Sequence, residues 1–310
     1  MSFSADVKRE IAAVIDESRH CQVAELAALL NTCGRIEVLA DSYSVSIRTD
    51  NAFVANRMSA LIETQFRGQY VRTQSETGRR GKHATWHIQV TQPQTAREIL
   101  WATGLLDKRT SQLTRRIDPL VVSRVCCKRA YIRGAFLGGG SVSGPEKAYH
   151  LELITSGQAY AAQLAAVLQA FDIEPKLVVR KGYDIVYFKK GEEISDVLKI
   201  IGANAAMMAF ENQRAAKDME NTINRVSNCL AVNADKTVVA AVKQMEDIEL
   251  IRARIGLAAL PPTLSEIAEI RLNHPIISLK EIGEMLNPPI GKSGVNHRLR
   301  RISSIADGLR

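Results

Sequence analysis

The first two-thirds of the chain carries one pattern twice, about 106 residues apart. The first copy holds Ala24-Glu25-Leu26-Ala27-Ala28-Leu29-Leu30-Asn31-Thr32-Cys33-Gly34-Arg35-Ile36, and the second Ala130-Tyr131-Ile132-Arg133-Gly134-Ala135-Phe136-Leu137-Gly138-Gly139-Gly140-Ser141-Val142. Each reads as a short apolar helix with small residues on one face, closed by glycine and followed by strand-like alternation. A repeat at fixed offset constrains architecture before any single residue does. The offset continues: amphipathic Asp50–Phe66 falls opposite Ser156–Leu168, and the β-biased run Gln69–Thr73 opposite Pro175–Val179. A polar turn over Ser75–His83 answers to Lys181-Gly182, strand-like Ala84–Val90 to Tyr183–Lys189, and Glu98–Gly104 to Asp196–Gly202. Each copy therefore predicts helix, two strands, helix, two strands, helix.

Ala24, Ala27 and Ala28 in one copy, and Ala130, Gly134 and Gly138 in the other, let the two leading helices cross with their backbones close together. This pattern resembles the LAGLIDADG homing-endonuclease fold, an α+β architecture in which two αββαββα halves pair through these helices and form a β-saddle over DNA. In that family the residue before the closing glycine is Asp or Glu, and one from each copy holds the catalytic metal. Here Cys33 and Gly139 stand there. Phosphodiester cleavage with Mg²⁺ needs hard oxygen ligands, which neither a thiol nor a glycine supplies. Glu37 and Glu146 lie nearby in sequence, but neither closes its helix. The expectation is a scaffold without nuclease chemistry, and with no catalytic, metal or cofactor site.

The formal charge of +8 favours polyanionic partners, although a solvated basic surface accounts for charge alone equally well. Met1 opens into an amphipathic segment (Phe3, Val7, Ile11, Val14), so the expectation is a cytoplasmic chain with no signal peptide and no membrane span. Cys21, Cys33, Cys126, Cys127 and Cys229 are an odd set without C-x-x-C spacing and without a nearby histidine pair at finger spacing. They read as reduced, mostly buried small hydrophobes. His83, His87 and His150 show no ligand pattern.

The last third differs. Residues from about Ala209 to Gly256 read as helical and highly charged, a linker helix followed by the first helix of a separate domain, whose apolar stripe is Val238, Ala241, Val242, Met245, Ile248, Ile251 and Ile255. The expected division is therefore residues 1–208, with repeats of about 1–118 and 119–208, and an all-α domain over 209–310. Pro261-Pro262 breaks the chain, and two capping-box patterns follow, Thr263-x-x-Glu266 before Leu264–Leu272 and Ser278-x-x-Glu281 before Leu279–Leu286. Asn287-Pro288-Pro289 ends the second helix, and Ser293 is positioned to cap a third carrying Val295, Leu299, Ile302 and Ile305.

Lys292, Asn296, His297, Arg298, Arg300 and Arg301 fall within ten residues that contain no acid. Two short helices, a break and a basic second helix describe a helix-turn-helix, whose second helix enters the major groove. With Val295 and Leu299 inward, Ser293, Asn296, His297 and Arg300 are placed for bases, and Lys292, Arg298 and Arg301 for phosphates. The turn from Asn287 to Gly291 is longer than the usual three or four residues. Lys108, Arg109, Arg115 and Arg116, with Arg79, Arg80 and Lys82, extend the basic set, but a solvated linker and loop explain them as well. Gly291-Lys292-Ser293 is not a phosphate-binding loop, because Leu286 stands where its first glycine belongs. Gly138-Gly139-Gly140 lacks the further glycine of a dinucleotide fingerprint.

A LAGLIDADG-like saddle joined to a helix-turn-helix resembles the WhiA family of Gram-positive bacteria over nearly the whole chain. The specific marks are Ser2-Phe3-Ser4, Cys126 to Leu137, Asn224-Arg225, Asn228, Ala231-Val232-Asn233, Lys236-Thr237, Pro288, Ile290 and Lys292 to Arg300. The resemblance implies a regulator that binds double-stranded DNA and is linked to cell division, chromosome segregation and, in spore formers, sporulation. In actinobacterial members it also implies cooperation with an RNA polymerase sigma factor, or another protein partner, through the N-terminal domain. A nucleoid-associated protein that binds DNA broadly, without promoter choice, is the alternative reading.

Overall fold

The computed structural model describes residues 2–310 except Glu17, Ala40, Asp41, Lys108 and 78–82, and describes only the backbone of Glu76, Thr77, His83 and 230–235. The chain divides into two units, Met1–Lys217 and Asp218–Arg310.

The first unit contains the duplication. Helix α1 (Phe3–Ala12) precedes it, with the Ser2 hydroxyl accepting from the Ala5 amide and Val7 and Ile11 buried. Copy one runs α2 (Arg19–Cys33), β1 (Gly34–Leu39), β2 (Ser42–Thr49), α3 (Ala52–Phe66), β3 (Tyr70–Thr77), β4 (His83–Val90) and α4 (Pro93–Ala102). Copy two runs α5 (Val125–Gly139), β5 (Gly140–Val142), β6 (Leu151–Thr155), α6 (Gln158–Gln169), β7 (Lys176–Arg180), β8 (Tyr183–Phe188) and α7 (Gly191–Ile201). Both sheets are antiparallel and share one strand order, β1-β2-β4-β3 and β5-β6-β8-β7. The repeat read from the sequence is thus one topology built twice.

One boundary is corrected. Ser75, Glu76 and Thr77 continue β3 and pair with Thr85, Ala84 and His83, rather than belonging to the turn. Arg79, Arg80 and Lys82 lie outside the described residues. In copy two, Lys181 and Gly182 both take positive φ (53° and 81°), as a two-residue hairpin turn requires.

The helices α2 and α5 cross where the small residues stand. A Cβ on Gly134 would lie 2.3 Å from the Glu25 carbonyl oxygen, and one on Gly138 would lie 3.0 Å from Thr32 Cβ. No larger side chain fits at Gly134, so glycine sets the helix separation. A single apolar core runs through both copies, from Leu26, Leu29 and Leu30 to Phe136, Leu137 and Phe188. Charged groups cross this core: Glu25, fully buried, accepts from Arg57 Nε and Nη2 (2.6 and 2.8 Å) and from Arg133 Nε (3.1 Å).

Helix α8 (Asn204–Arg254) runs as one helix through the segment read as a linker helix and the helix after it, and the division between the units falls inside it. Its first turn is capped from α1, where the Glu10 carboxylate accepts from the Ala205 and Ala206 amides (2.7 and 3.0 Å). The predicted stripe is only partly core. Ala241, Ile248 and Ile251 are buried, whereas Val238, Val242 and Ile255 are exposed. The second unit continues with a 3₁₀ turn (Leu257–Ala259), α9 (Pro262–Asn273), α10 (Leu279–Met285) and α11 (Lys292–Leu309). Its separate core joins Ile248 and Ile251 to Leu264, Ile267, Ile282, Leu286, Val295, Leu299 and Ile302.

Candidate nucleic-acid interface

The three short helices of the second unit begin in different ways. At α10 the predicted capping box forms: Ser278 Oγ accepts from the Glu281 amide, and the Glu281 carboxylate accepts from the Ser278 amide. At α9 the expected box at Thr263 does not form. Pro262 takes the first helical position, where its fixed φ suits the helix and its missing N–H costs nothing, so the helix starts before Thr263. Glu266 instead accepts from the Asn287 amide at 3.3 Å, tying α9 to the turn after α10. At α11 the N-cap is Gly291 and not Ser293, which lies inside the helix.

Helix α11 is seated by Val295, Leu299, Ile302 and Ala306, all buried, with Ile305 half-buried. Each large aliphatic in that stripe contributes roughly 1.5–3 kcal/mol of burial free energy, so the face it turns outward is fixed. Lys292, Ser293, His297, Arg300 and Arg301 are exposed, while Asn296 and Arg298 are half-buried. Arg298 reaches back to α9, its Nη1 lying 3.5 Å from the Thr263 carbonyl. The structure therefore brings all seven predicted residues onto the first turns of one helix. It separates them into an open group and two residues at the margin of the core. The first turn of α11 contains no acid.

Sequence reasoning missed Arg271, the largest fully buried side chain among the described residues. Its Nη1 donates to the Pro275 and Ile277 carbonyls (3.3 and 2.9 Å), fixing the connection from α9 to α10. Burial lowers its pKa from the ordinary arginine value. The signal was its phase: Leu264, Ile267, Ala268 and Arg271 share one helical face. Arg115 is also structural. Its guanidinium donates to the Leu30 carbonyl (3.0 Å) and the Gly34 carbonyl (3.2 Å) at the end of α2. Lys108 lies outside the described residues.

Neither Cys33 nor Gly139, at the ends of α2 and α5, offers an oxygen ligand. Cys33 Sγ donates to the Leu29 carbonyl at 3.3 Å, and burial pushes its thiol up to about 11. A Cβ on Gly139 would lie 2.5 Å from Thr32 Cγ2 and 2.7 Å from the Ile154 carbonyl oxygen. Among the described residues no helix is long and apolar enough to cross a membrane.

Two αββαββα copies sharing one core, and a helical unit whose last helix presents a basic face, define a protein with a LAGLIDADG-like domain and a helix-turn-helix domain. Comparison with known proteins agrees at each part. Residues 19–106 match the WhiA N-terminal LAGLIDADG-like domain, 128–220 the WhiA LAGLIDADG-like domain, and 223–306 the WhiA C-terminal HTH domain. The chain belongs to the WhiA family. It is 44% identical over 315 residues to a protein of Lachnoclostridium phytofermentans named "Probable cell division protein WhiA", covering all of both chains. It is 44% identical over 312 residues to the like-named protein of Clostridium perfringens, covering 100% of this chain and 99% of that one. The fold is that of full-length DUF199/WhiA from Thermatoga maritima, with TM-score 0.62, 23% identity, and coverage of 99% and 98%.

Proposed function

We propose that the chain is a non-enzymatic DNA-binding regulator, with α11 as the recognition helix. The observation that carries this reading is the open face of Lys292, Ser293, His297, Arg300 and Arg301, free of acids in its first turn and held outward by a buried stripe. Ser293, His297 and Arg300 face base edges, with Asn296 reaching from the margin. Lys292 and Arg301 neutralise phosphates, and Arg298 does so from its tether on α9. The closed Gly139 position and the hydrogen-bonded Cys33 thiol support the absence of nuclease activity, because neither supplies an oxygen ligand. Regulation of transcription, with roles in division, chromosome segregation and sporulation in spore formers, extends this reading by family likeness. A cytoplasmic, nucleoid-associated location and a sigma-factor or other protein partner for the saddle rest on the same likeness.

The test is a binding titration of the full chain on promoter fragments and scrambled DNA across a salt series. Log K is expected to fall with log salt by ~0.9 for each phosphate neutralised. One fragment should bind ~10³-fold or more above scrambled DNA. Uniform affinity would favour a nucleoid-type protein instead, and no binding would remove the helix-turn-helix assignment. Arg300→Ala is expected to weaken specific binding by ~1–3 kcal/mol while leaving scrambled DNA nearly unaffected. Equal losses on both would make Arg300 a phosphate contact.

A further inference from the structure

The cysteines do not lie scattered through the core. Cys21 and Cys127 are buried, Cys33 is intermediate, and Cys126 and Cys229 are exposed. Three of them meet His20. The ligand atoms of His20, Cys21, Cys126 and Cys127 all lie within 4.8 Å of one another. His20 Nδ1 sits 3.2 Å from Cys21 Sγ and 3.2 Å from Cys127 Sγ, although the histidine and Cys127 are 107 positions apart in sequence. The duplication explains the meeting. Its offset of about 106 residues sets His20-Cys21 at the start of α2 against Cys126-Cys127 at the start of α5. Two crossing helices related by the repeat bring equivalent positions face to face.

We propose that His20, Cys21, Cys126 and Cys127 form a structural Zn²⁺ site that ties the two repeats together at the start of their paired helices. Three sulfurs and one imidazole nitrogen are a closed tetrahedral donor set for Zn²⁺ and exclude Mg²⁺ and Ca²⁺, which take oxygen. With Zn–S bonds of about 2.3 Å, tetrahedral sulfurs stand about 3.8 Å apart. The observed spacing needs shifts of an ångström or less on the order of ordinary side-chain adjustment. The buried pair, Cys21 and Cys127, fixes the inner half, and the exposed pair, His20 and Cys126, leaves a path for the ion to enter. Neither helix start has a side-chain cap, and burial raises the Cys21 and Cys127 thiols, so their protons leave as the ion binds. Arg124 Nη1 lies 3.2 Å from His20 Nε2. When Nδ1 binds the ion, Nε2 carries the proton, so the exposed Arg124 side chain turns away from the ring. The site lies at the start of α2 and α5, whereas Cys33 and Gly139 lie at their ends. Metal at this end holds the scaffold together and performs no reaction.

The test uses the untagged full chain, purified under reducing conditions and assayed for metal content. The expected result is one zinc per chain. Replacement by Co²⁺ should give the intense visible bands of a tetrahedral ion and near-ultraviolet thiolate-to-cobalt charge transfer. Cys126→Ser, at an exposed position, should abolish that spectrum with the helical circular dichroism unchanged. Cys229→Ser should retain it. Removing zinc with a chelator should lower the melting temperature of the wild-type chain and leave that of Cys126→Ser unmoved. Two results overturn the proposal. One is wild-type protein without zinc whose cobalt spectrum is that of a weak octahedral ion. The other is a disulfide among Cys21, Cys126 and Cys127 that persists in the reducing preparation. The wild-type measurements decide the matter even if a variant fails to fold.

Discussion

Replacing Glu25 with alanine is expected to destabilise the N-terminal unit by about 3–5 kcal/mol, the loss typical when one partner of a buried ion pair is removed. Its carboxylate is fully buried and joins three helices, with Arg57 of α3 bidentate on both oxygens and Arg133 of α5 on one. Burial works against the Arg57 charge, but the hydrogen bonds and charge of Glu25 outweigh it and hold the guanidinium pKa above its ordinary value. Arg133 has a second acid, Asp16, which is only partly buried. Alanine at position 25 leaves Arg57 nine-tenths buried without its acid, and that desolvated cation accounts for most of the loss. Urea denaturation of the full chain should show the midpoint of the N-terminal transition falling. Adding Arg57→Met to the Glu25→Ala chain should recover part of the loss, since the uncompensated charge goes with it. A loss below about 1 kcal/mol would mean that water reaches Arg57 and that the network is not what joins the copies.

The duplication was legible because it is written in order, element type and closing glycines together, which no local property of one segment imitates. The glutamate network was not. Glu25, Arg57 and Arg133 are ordinary charged residues on apolar helices, and only the crossing of α2 and α5 shows that their faces meet. The cysteine cluster was hidden for a related reason. Local spacing excluded a metal motif, whereas the repeat offset, already in hand for the small residues, applied equally to His20-Cys21 and Cys126-Cys127. In the second unit the Ser278 box was readable because nothing competes with it. The Thr263 box was a sequence coincidence overridden by Pro262 one residue earlier. The stripe from Val238 to Ile255 had helical periodicity along its length, but periodicity states which residues share a face and not how much of that face is covered. That the basic residues of α11 share one helix was readable as a set. The margin positions of Asn296 and Arg298 needed the packing of α11.

Gly283→Ala is expected to damage the second unit more than any substitution on the face of α11 itself. Gly283 lies buried on α10, beneath the turn that leads into α11. A Cβ there would stand 2.1 Å from the Ile290 carbonyl oxygen and 3.2 Å from Val295 Cγ2. The struck atom is backbone and has little freedom to yield, because the Ile290 amide donates to the Gly283 carbonyl at 3.0 Å. Alanine in a helix interior gains roughly 1 kcal/mol over glycine in intrinsic propensity. Relief of the overlap requires the turn to lift and Val295 to leave its seat, an overpacking cost at the upper end of the usual range, about 3 kcal/mol. The steric term therefore wins, and the net loss of about 2 kcal/mol falls on the second unit alone. Lifting the turn also re-aims Lys292, Ser293 and Asn296, so affinity for specific and scrambled DNA should fall together. Arg300→Ala, by contrast, should leave the unfolding curve unchanged and act on specific DNA only. Paired denaturation and DNA titrations of the two variants separate these outcomes. A Gly283→Ala chain as stable as wild type, with its DNA affinity intact, would show that the turn accommodates a methyl group and that α11 is not positioned by this contact.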